Sequence, residues 1–289
     1  MRKNRENTAA SVSGFAAKSG YEGSVGARAV ARAGKCKNLK GHVFEIMHCD
    51  RFNANPIHSL QGKTAHLTKS PVATRDDVII MQGKKVIQRL QLKDTPSVSG
   101  ARDTFRRMAG GQYKGTSGVV TTKETAKEVA KLSEKSGKAG EKVLGKLHSS
   151  GISTMETELV AAKMLGGNPI HHVSAIAHHA PKSGAIGGAV TAGIACVQSM
   201  KKVRQGEWDV KKAVAHTAKE GAYGAAAGTA ADAVGSAVTI AVAATPAAPL
   251  AMPAGIAADA AAGYAVEKGG RAIEKGIRTM AVNTKRAFC

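Results

Sequence analysis

Hydrophobic and polar positions follow helical and strand periods in turn along the first half of this chain. GHVFEIMHCDRFNAN, residues 41–55, places Val43, Phe44, Met47 and Phe52 near one helical stripe, the spacing of an amphipathic helix. AHLTKS, around 64–69, is a strand candidate, and the loop SPVATRD follows it. The stretch DDVIIMQGKKVIQRLQLKD then predicts two strands, about 77–82 and 85–93, turning at Gly83-Lys84. Alternation along the second strand sets Gln91 and Lys93 on one face and Leu90 and Leu92 on the other. SGARDTFRRMAGGQY predicts a basic helix that stops at Gly110-Gly111, with Arg102 and Arg106 on one face. GVVTT at 118–122 is a further short strand, and residues 126–150, rich in Lys/Glu pairs, predict a solvent-facing linker helix. Residues 1–38 show no firm period and read as a flexible basic arm carrying at most one weak helix.

After about residue 150 the pattern loses its charges. METELVAAKMLGG is a short helix ending at Gly166-Gly167. No charged residue occurs from Ser183 to Met200, and Gly184, Gly188 and Ala192 form a row of small residues at every fourth position; Gly224 and Gly228 repeat that spacing. Ala233–Ala258 is again uncharged but is interrupted by Pro246, Pro249 and Pro253. The pattern predicts a helical hairpin, roughly 211–244 and 254–282, bent at TPAAPLAMP. Gly/Ala at every fourth position lets helix backbones approach closely, as in glycine-zipper packing, and allows self-association. These uncharged runs approach the ~20 residues that a spanning helix needs, yet Ala and Gly supply little transfer energy. A soluble close-packed hairpin and a membrane-inserted one both remain open. The fold class expected is α+β: a small α/β domain with a mixed sheet at 39–125, the linker helix, and an all-α Gly/Ala-rich tail at 151–289.

Charge adds a partner class to this picture. The chain carries 42 Lys+Arg against 21 Asp+Glu, and residues 1–150 hold 28 of the basic and 12 of the acidic residues, a net of +16. A basic half points to a polyanion, either nucleic acid or an anionic membrane surface. Aromatic residues make up 3% of the chain, which argues against base-stacking platforms. Cys36, Cys49, Cys196 and Cys289 show no paired spacing and fit reduced thiols in a cytoplasmic setting. The start MRKNRENTAASVSG lacks the apolar core of a secretory signal.

An acid, a carbonyl-bearing side chain and a lysine at adjacent strand ends suit a divalent metal beside a phosphodiester. The order helix–strand–strand–strand–helix over 41–111, with Glu45 in the first helix, Asp77 before Val78-Ile79-Ile80, and Gln91-Leu92-Lys93 closing the next strand, resembles the PD-(D/E)xK nuclease superfamily. The resemblance covers about 40–125 and implies a restriction-endonuclease-like fold that cuts DNA with Mg²⁺. It implies Asp77 as the main metal ligand, with Asp76 the alternative, and Gln91 where a carboxylate is usual. Lys93 would orient the attacking water and stabilise developing charge, and Glu45 would be the first-helix acid. Gln91 still offers an oxygen to Mg²⁺ but removes a negative charge from the site, and the acid follows Arg75 rather than a proline. Arg102, Arg106 and Arg107 on the following helix suit backbone phosphates without reading sequence.

Other constellations are weaker. His171-His172 and His178-His179 lie seven residues apart, a spacing that would suit a transition metal on a continuous helix, but Pro169 and Pro181 bracket a short element with no acid nearby in sequence. His42, Glu45 and His48 lack the HExxH spacing, GGQYKGTSG and GSVGARA lack P-loop order, and no Gly-x-Ser-x-Gly elbow is present. A nuclease joined to a self-packing or membrane-active tail suits a toxin, effector or phage-defence protein of bacterial or prophage origin, by analogy of arrangement alone. The rival reading is a membrane-inserting or pore-forming protein whose basic nuclease-like domain is inert.

Overall fold

The computed structural model describes residues 2–69 and 76–287. The loop before Asp76, with Arg75, and Cys289 therefore lie outside the described residues. The chain is α+β and divides into two units: an α/β unit, Gly23–Met164, and a helical unit made of Met1–Glu22 with Leu165–Cys289.

The α/β unit begins with the end of helix α1 (Arg2–Ala33), followed by α2 (Leu39–Asn53), α3 (Pro56–Leu60) and three strands, β1 (Lys63–Leu67), β2 (Val78–Gln82) and β3 (Lys85–Lys93). Helix α4 (Val98–Ala109) leads to β4 (Gly118–Thr121), and α5 (Lys123–Glu134) with α6 (Gly137–Leu144) leads to β5 (Leu147–Ser149) and α7 (Thr154–Leu165). The five strands form one mixed sheet in chain order. β1, β2 and β3 pair antiparallel, whereas β3–β4 and β4–β5 are parallel. Gly83, at φ +58°, supplies the left-handed residue that the β2–β3 turn requires. Ser97 starts α4 by accepting a hydrogen bond from the Gly100 amide at 3.1 Å.

Alternation along the strands separates two apolar clusters. Val78, Ile80, Leu90, Leu92 and Val120 pack with Phe44 and Cys49 of α2. On the other face Val119 packs with Ala101, Met108, Val129 and Val143 from α4, α5 and α6. Adjacent Val119 and Val120 thus enter different cores, as a period of two requires.

The segment 126–150 is not one solvent-facing linker helix: α5 and α6 bury Val129 and Val143 against β4, and β5 joins the sheet. The α/β unit therefore runs to Met164 rather than to 125, and α7 falls almost wholly within it. The arm at 1–38 is instead a 32-residue helix whose last turns bury Val25 and Ala29 with Leu39, Val43 and Val160. Few of its residues are large and apolar, so packing rather than periodicity makes it a helix.

In the helical unit, α8 (Val173–Arg204), α9 (Val210–Ala243) and α10 (Ala251–Ala287) follow one another, with α9 packed on both neighbours. The bend between α9 and α10 lies at the prolines, as expected. α8 continues through Pro181, so Pro169 and Pro181 do not bracket a short element. The small residues serve close approach: a Cβ on Gly188 would stand 2.9 Å from the Gly221 carbonyl oxygen, and one on Gly255 would stand 3.0 Å from that of Gly235.

Candidate active site

The antiparallel register Val78↔Leu90 sets Asp77, one residue before β2, across from Gln91 on β3. β2 begins where β3 ends, so Asp77, Gln91 and Lys93 come to the same end of the sheet. The Asp77 carboxylate accepts from the Gln91 side-chain amide, and the same oxygen accepts from the Leu92 amide at 2.7 Å. The Gln91 side-chain carbonyl oxygen is buried and has no hydrogen-bond partner among the described residues. A buried acceptor in that state needs a donor or a cation. Asp76 turns elsewhere and holds Arg89 at 2.6 Å, an ion pair within the sheet.

Glu45 reaches the site from α2. Its carboxylate lies 3.5 Å from Arg32 Nε and 3.4 Å from His42 Nδ1. Burial, and next the neighbouring Asp77 carboxylate, push the Glu45 pKa up to about 7, against the opposing pull of Arg32 and Lys93. Asp77 is also raised, by burial first, while the Leu92 amide and the Lys93 ammonium hold it down. His42 is lowered by burial and by Arg32. The Lys93 ammonium stands 5.9 Å from the centroid of the Tyr113 ring. Two carboxylates, a lysine and an arginine thus act on one another's charge in a partly water-excluded place.

The arginines of α4 are exposed, and two of them share one acid. Arg107 Nε lies 2.6 Å from Asp103, and Arg106 lies 3.3 Å from it. Arg107 also influences buried Tyr113, whose hydroxyl is shifted up by burial first. Arg102 faces solvent on the same helix.

The donor types at this end of the sheet are those a hard divalent cation takes. Asp77, Gln91 and Glu45 offer oxygens and no sulfur, and a cation would satisfy the orphaned Gln91 oxygen while drawing the Glu45 pKa down. Burial, and next Arg51, lower the His48 pKa to about 4, so that ring is uncharged near neutrality, and His42 is the imidazole that stands against Glu45 among the described residues.

Sequence reasoning missed Arg32 and Tyr113. Arg32 lies in a segment without a readable period, and Tyr113 follows the glycines that end α4, so neither carried a signal. The histidine pairs also resolve differently from their spacing. His179 is buried against Asp232, at 3.0 Å, and Glu22, at 3.3 Å, while His178 is exposed. The acids come from distant parts of the chain, and the Lys18 ammonium sits among them, 3.0 Å from Asp232 and 3.1 Å from Glu22.

The raised Glu45 pKa has a testable sign. In metal-free protein Glu45 binds its proton more tightly folded than unfolded, so its contribution to stability is complete below its unfolded pKa of about 4.5 and is lost as pH rises through about 7. Glu45→Gln is expected to flatten the stability profile between those values and to exceed wild type in stability above neutrality. Urea unfolding in chelator across that range measures it, and an unchanged slope would refute a Glu45 whose burial outweighs its pairing with Arg32.

No protein-family model matches this chain, and comparison with curated proteins and with solved structures finds no match either.

Proposed function

We propose that the α/β unit is a Mg²⁺-dependent, sequence-tolerant DNA endonuclease of the PD-(D/E)xK type in a Gln-x-Lys form. One observation carries the reading: Asp77, Gln91 and Lys93 meet at one sheet end, with Glu45 coupled to them from α2. The helix–strand–strand–strand–helix–strand order with an antiparallel meander and a parallel fourth strand supports it.

Asp77, the Gln91 carbonyl oxygen and Glu45 would hold the metal. Bound Mg²⁺ supplies positive charge at the scissile phosphate and lowers the pKa of water. Lys93 donates to a phosphate oxygen as charge builds there, from a place where burial strengthens the interaction. Glu45, ionised once the metal is bound, would add negative charge to the site and accept a hydrogen bond from the attacking water. Arg102, Arg106 and Arg107 hold backbone phosphates, which carry no sequence information. Purified protein is expected to nick supercoiled plasmid of any sequence with Mg²⁺ and not with chelator. Intact plasmid over a full metal series would overturn the reading.

A second reading concerns the helical unit. α8 and α9 are long and apolar enough to cross a membrane by length and composition, each holding an 18-residue stretch of mean hydropathy 1.2 and 1.4 respectively, and their small-residue contacts match close membrane packing. A membrane-inserting or pore-forming protein with an inert α/β unit would leak loaded vesicles and leave plasmid uncut. A nuclease of the toxin, effector or phage-defence kind would nick plasmid whether or not its tail meets lipid.

A further inference from the structure

The turn joining α8 to α9, Gln205–Asp209, gathers features that DNA cleavage does not use. From Lys201 to Lys212 stand five cations, Lys201, Lys202, Arg204, Lys211 and Lys212, against Glu207 and Asp209, a net of +3. Asp209 is occupied as the N-cap of α9, accepting from the Lys212 amide at 2.6 Å. The one tryptophan of the chain, Trp208, lies in this turn with the Lys202 ammonium 3.8 Å and the Lys212 ammonium 5.2 Å from its ring.

Beside this basic turn an apolar groove of about 580 Å³ opens along the two helices. Met200, Val203, Val210 and Val214 line it, and Arg204 is the one charged residue in its wall. Met200, Val210 and Val214 are 52%, 66% and 63% exposed. Ser199, in the same wall, has a buried hydroxyl without a hydrogen-bond partner among the described residues. Exposed aliphatics grouped in this way mark an interaction surface.

We propose that this hairpin tip docks on an anionic phospholipid surface. Trp208 sits at the headgroup level, the cations meet the phosphates, and the Met200–Val210–Val214 groove meets acyl chains. Amphipathic aromatic rings and flanking cations favour that boundary for separate reasons: the ring for its mixed polarity, the cations for the negative surface potential. Two other occupants fit less well. A nucleic acid would use the cations and leave the exposed aliphatics in water. A second copy meeting the tip about a two-fold would bring +3 against +3. The proposal shares with the second reading above only lipid as partner, and requires neither insertion nor pore formation.

The full-length protein is tested by co-sedimentation with phosphatidylcholine vesicles, with and without phosphatidylglycerol, while Trp208 emission is followed. Expected are binding to the anionic vesicles alone, a blue shift of Trp208, and weakening by salt. Each cation in contact with such a surface is worth about fivefold in partitioning, so three together are worth about a hundredfold, and the Lys201→Ala/Lys202→Ala/Lys212→Ala triple variant should bind at least roughly tenfold more weakly even if only two of them reach it. Met200→Asp should lose binding with unchanged helicity by circular dichroism. Wild-type protein that binds no vesicle overturns both this proposal and the membrane reading. Binding by the triple variant equal to wild type overturns the tip alone. Tip variants that weaken DNA binding without touching vesicle binding, or Met200→Asp that abolishes a dimer in protein that ignores vesicles, likewise overturn it. Plasmid nicking is scored separately and bears on neither outcome.

Discussion

Asp77→Asn is expected to abolish Mg²⁺-dependent plasmid nicking, with a loss of at least roughly 10²-fold, the scale of removing one preorganised charge-stabilising group. The substitution preserves shape, and its one carbonyl oxygen can still accept from Leu92 and Gln91, but it removes the charge that would hold the cation in the proposed site. Lys93→Ala should produce a loss of the same order, because the proposed site would lose the ammonium that donates to the phosphate. Two controls separate chemistry from folding. Asp76→Asn breaks the ion pair with Arg89 and should leave nicking within a few-fold of wild type once the protein is folded. Arg106→Ala should weaken DNA binding evenly across sequences and reduce its salt dependence by about one counterion. Nicking that survives both Asp77→Asn and Lys93→Ala would remove this site from the protein's activity.

The largest effect on stability is expected at Phe44. Its ring is 1% exposed and joins α2 to the sheet through Val78, Ile80, Leu90 and Leu92. Phe44→Ala removes that ring from a close-packed core and should cost about 3–5 kcal/mol, the transfer loss plus an incompletely closed cavity. Because Glu45 is the next residue on α2, looser seating of the helix also withdraws the acid from Asp77 and Lys93. Urea unfolding followed by circular dichroism measures the first effect. Metal-dependent nicking under conditions where the variant is still folded measures the second. A cost under about 1 kcal/mol would place Phe44 among ordinary surface changes and contradict its role as the tie between helix and sheet.

Much of the α/β unit is legible from neighbouring residues. The α2 helix, the β2–β3 hairpin with its Gly83 turn and the start of α4 at Ser97 rest on spacing, a left-handed glycine and a local cap, all of which act within a few residues. The bend between α9 and α10 rests on prolines in the same way. Reading Gln91 and Lys93 onto one strand face needs nothing beyond the period of two.

Other features depend on residues far apart in the chain. Charged residues on α5 and α6 read as solvated, yet each helix also carries a narrow apolar edge, and that edge finds Val119 only once β4 lies parallel beside β3. Parallel pairing leaves no turn signal, because the connection is an entire helix. The end of α1 likewise has few large apolar residues, and Val25 and Ala29 become core by meeting Leu39, Val43 and Val160.

The sequence by itself determined the residue types at the sheet end, their order and their strand alternation. Tertiary structure alone decided that Asp76 pairs with Arg89 while Asp77 meets Gln91, that Arg32 joins Glu45, and that the Glu45 carboxyl titrates near neutrality. The reason is physical: alternation is a property of one strand, whereas burial and the field of neighbouring charges exist only after separate elements have packed together.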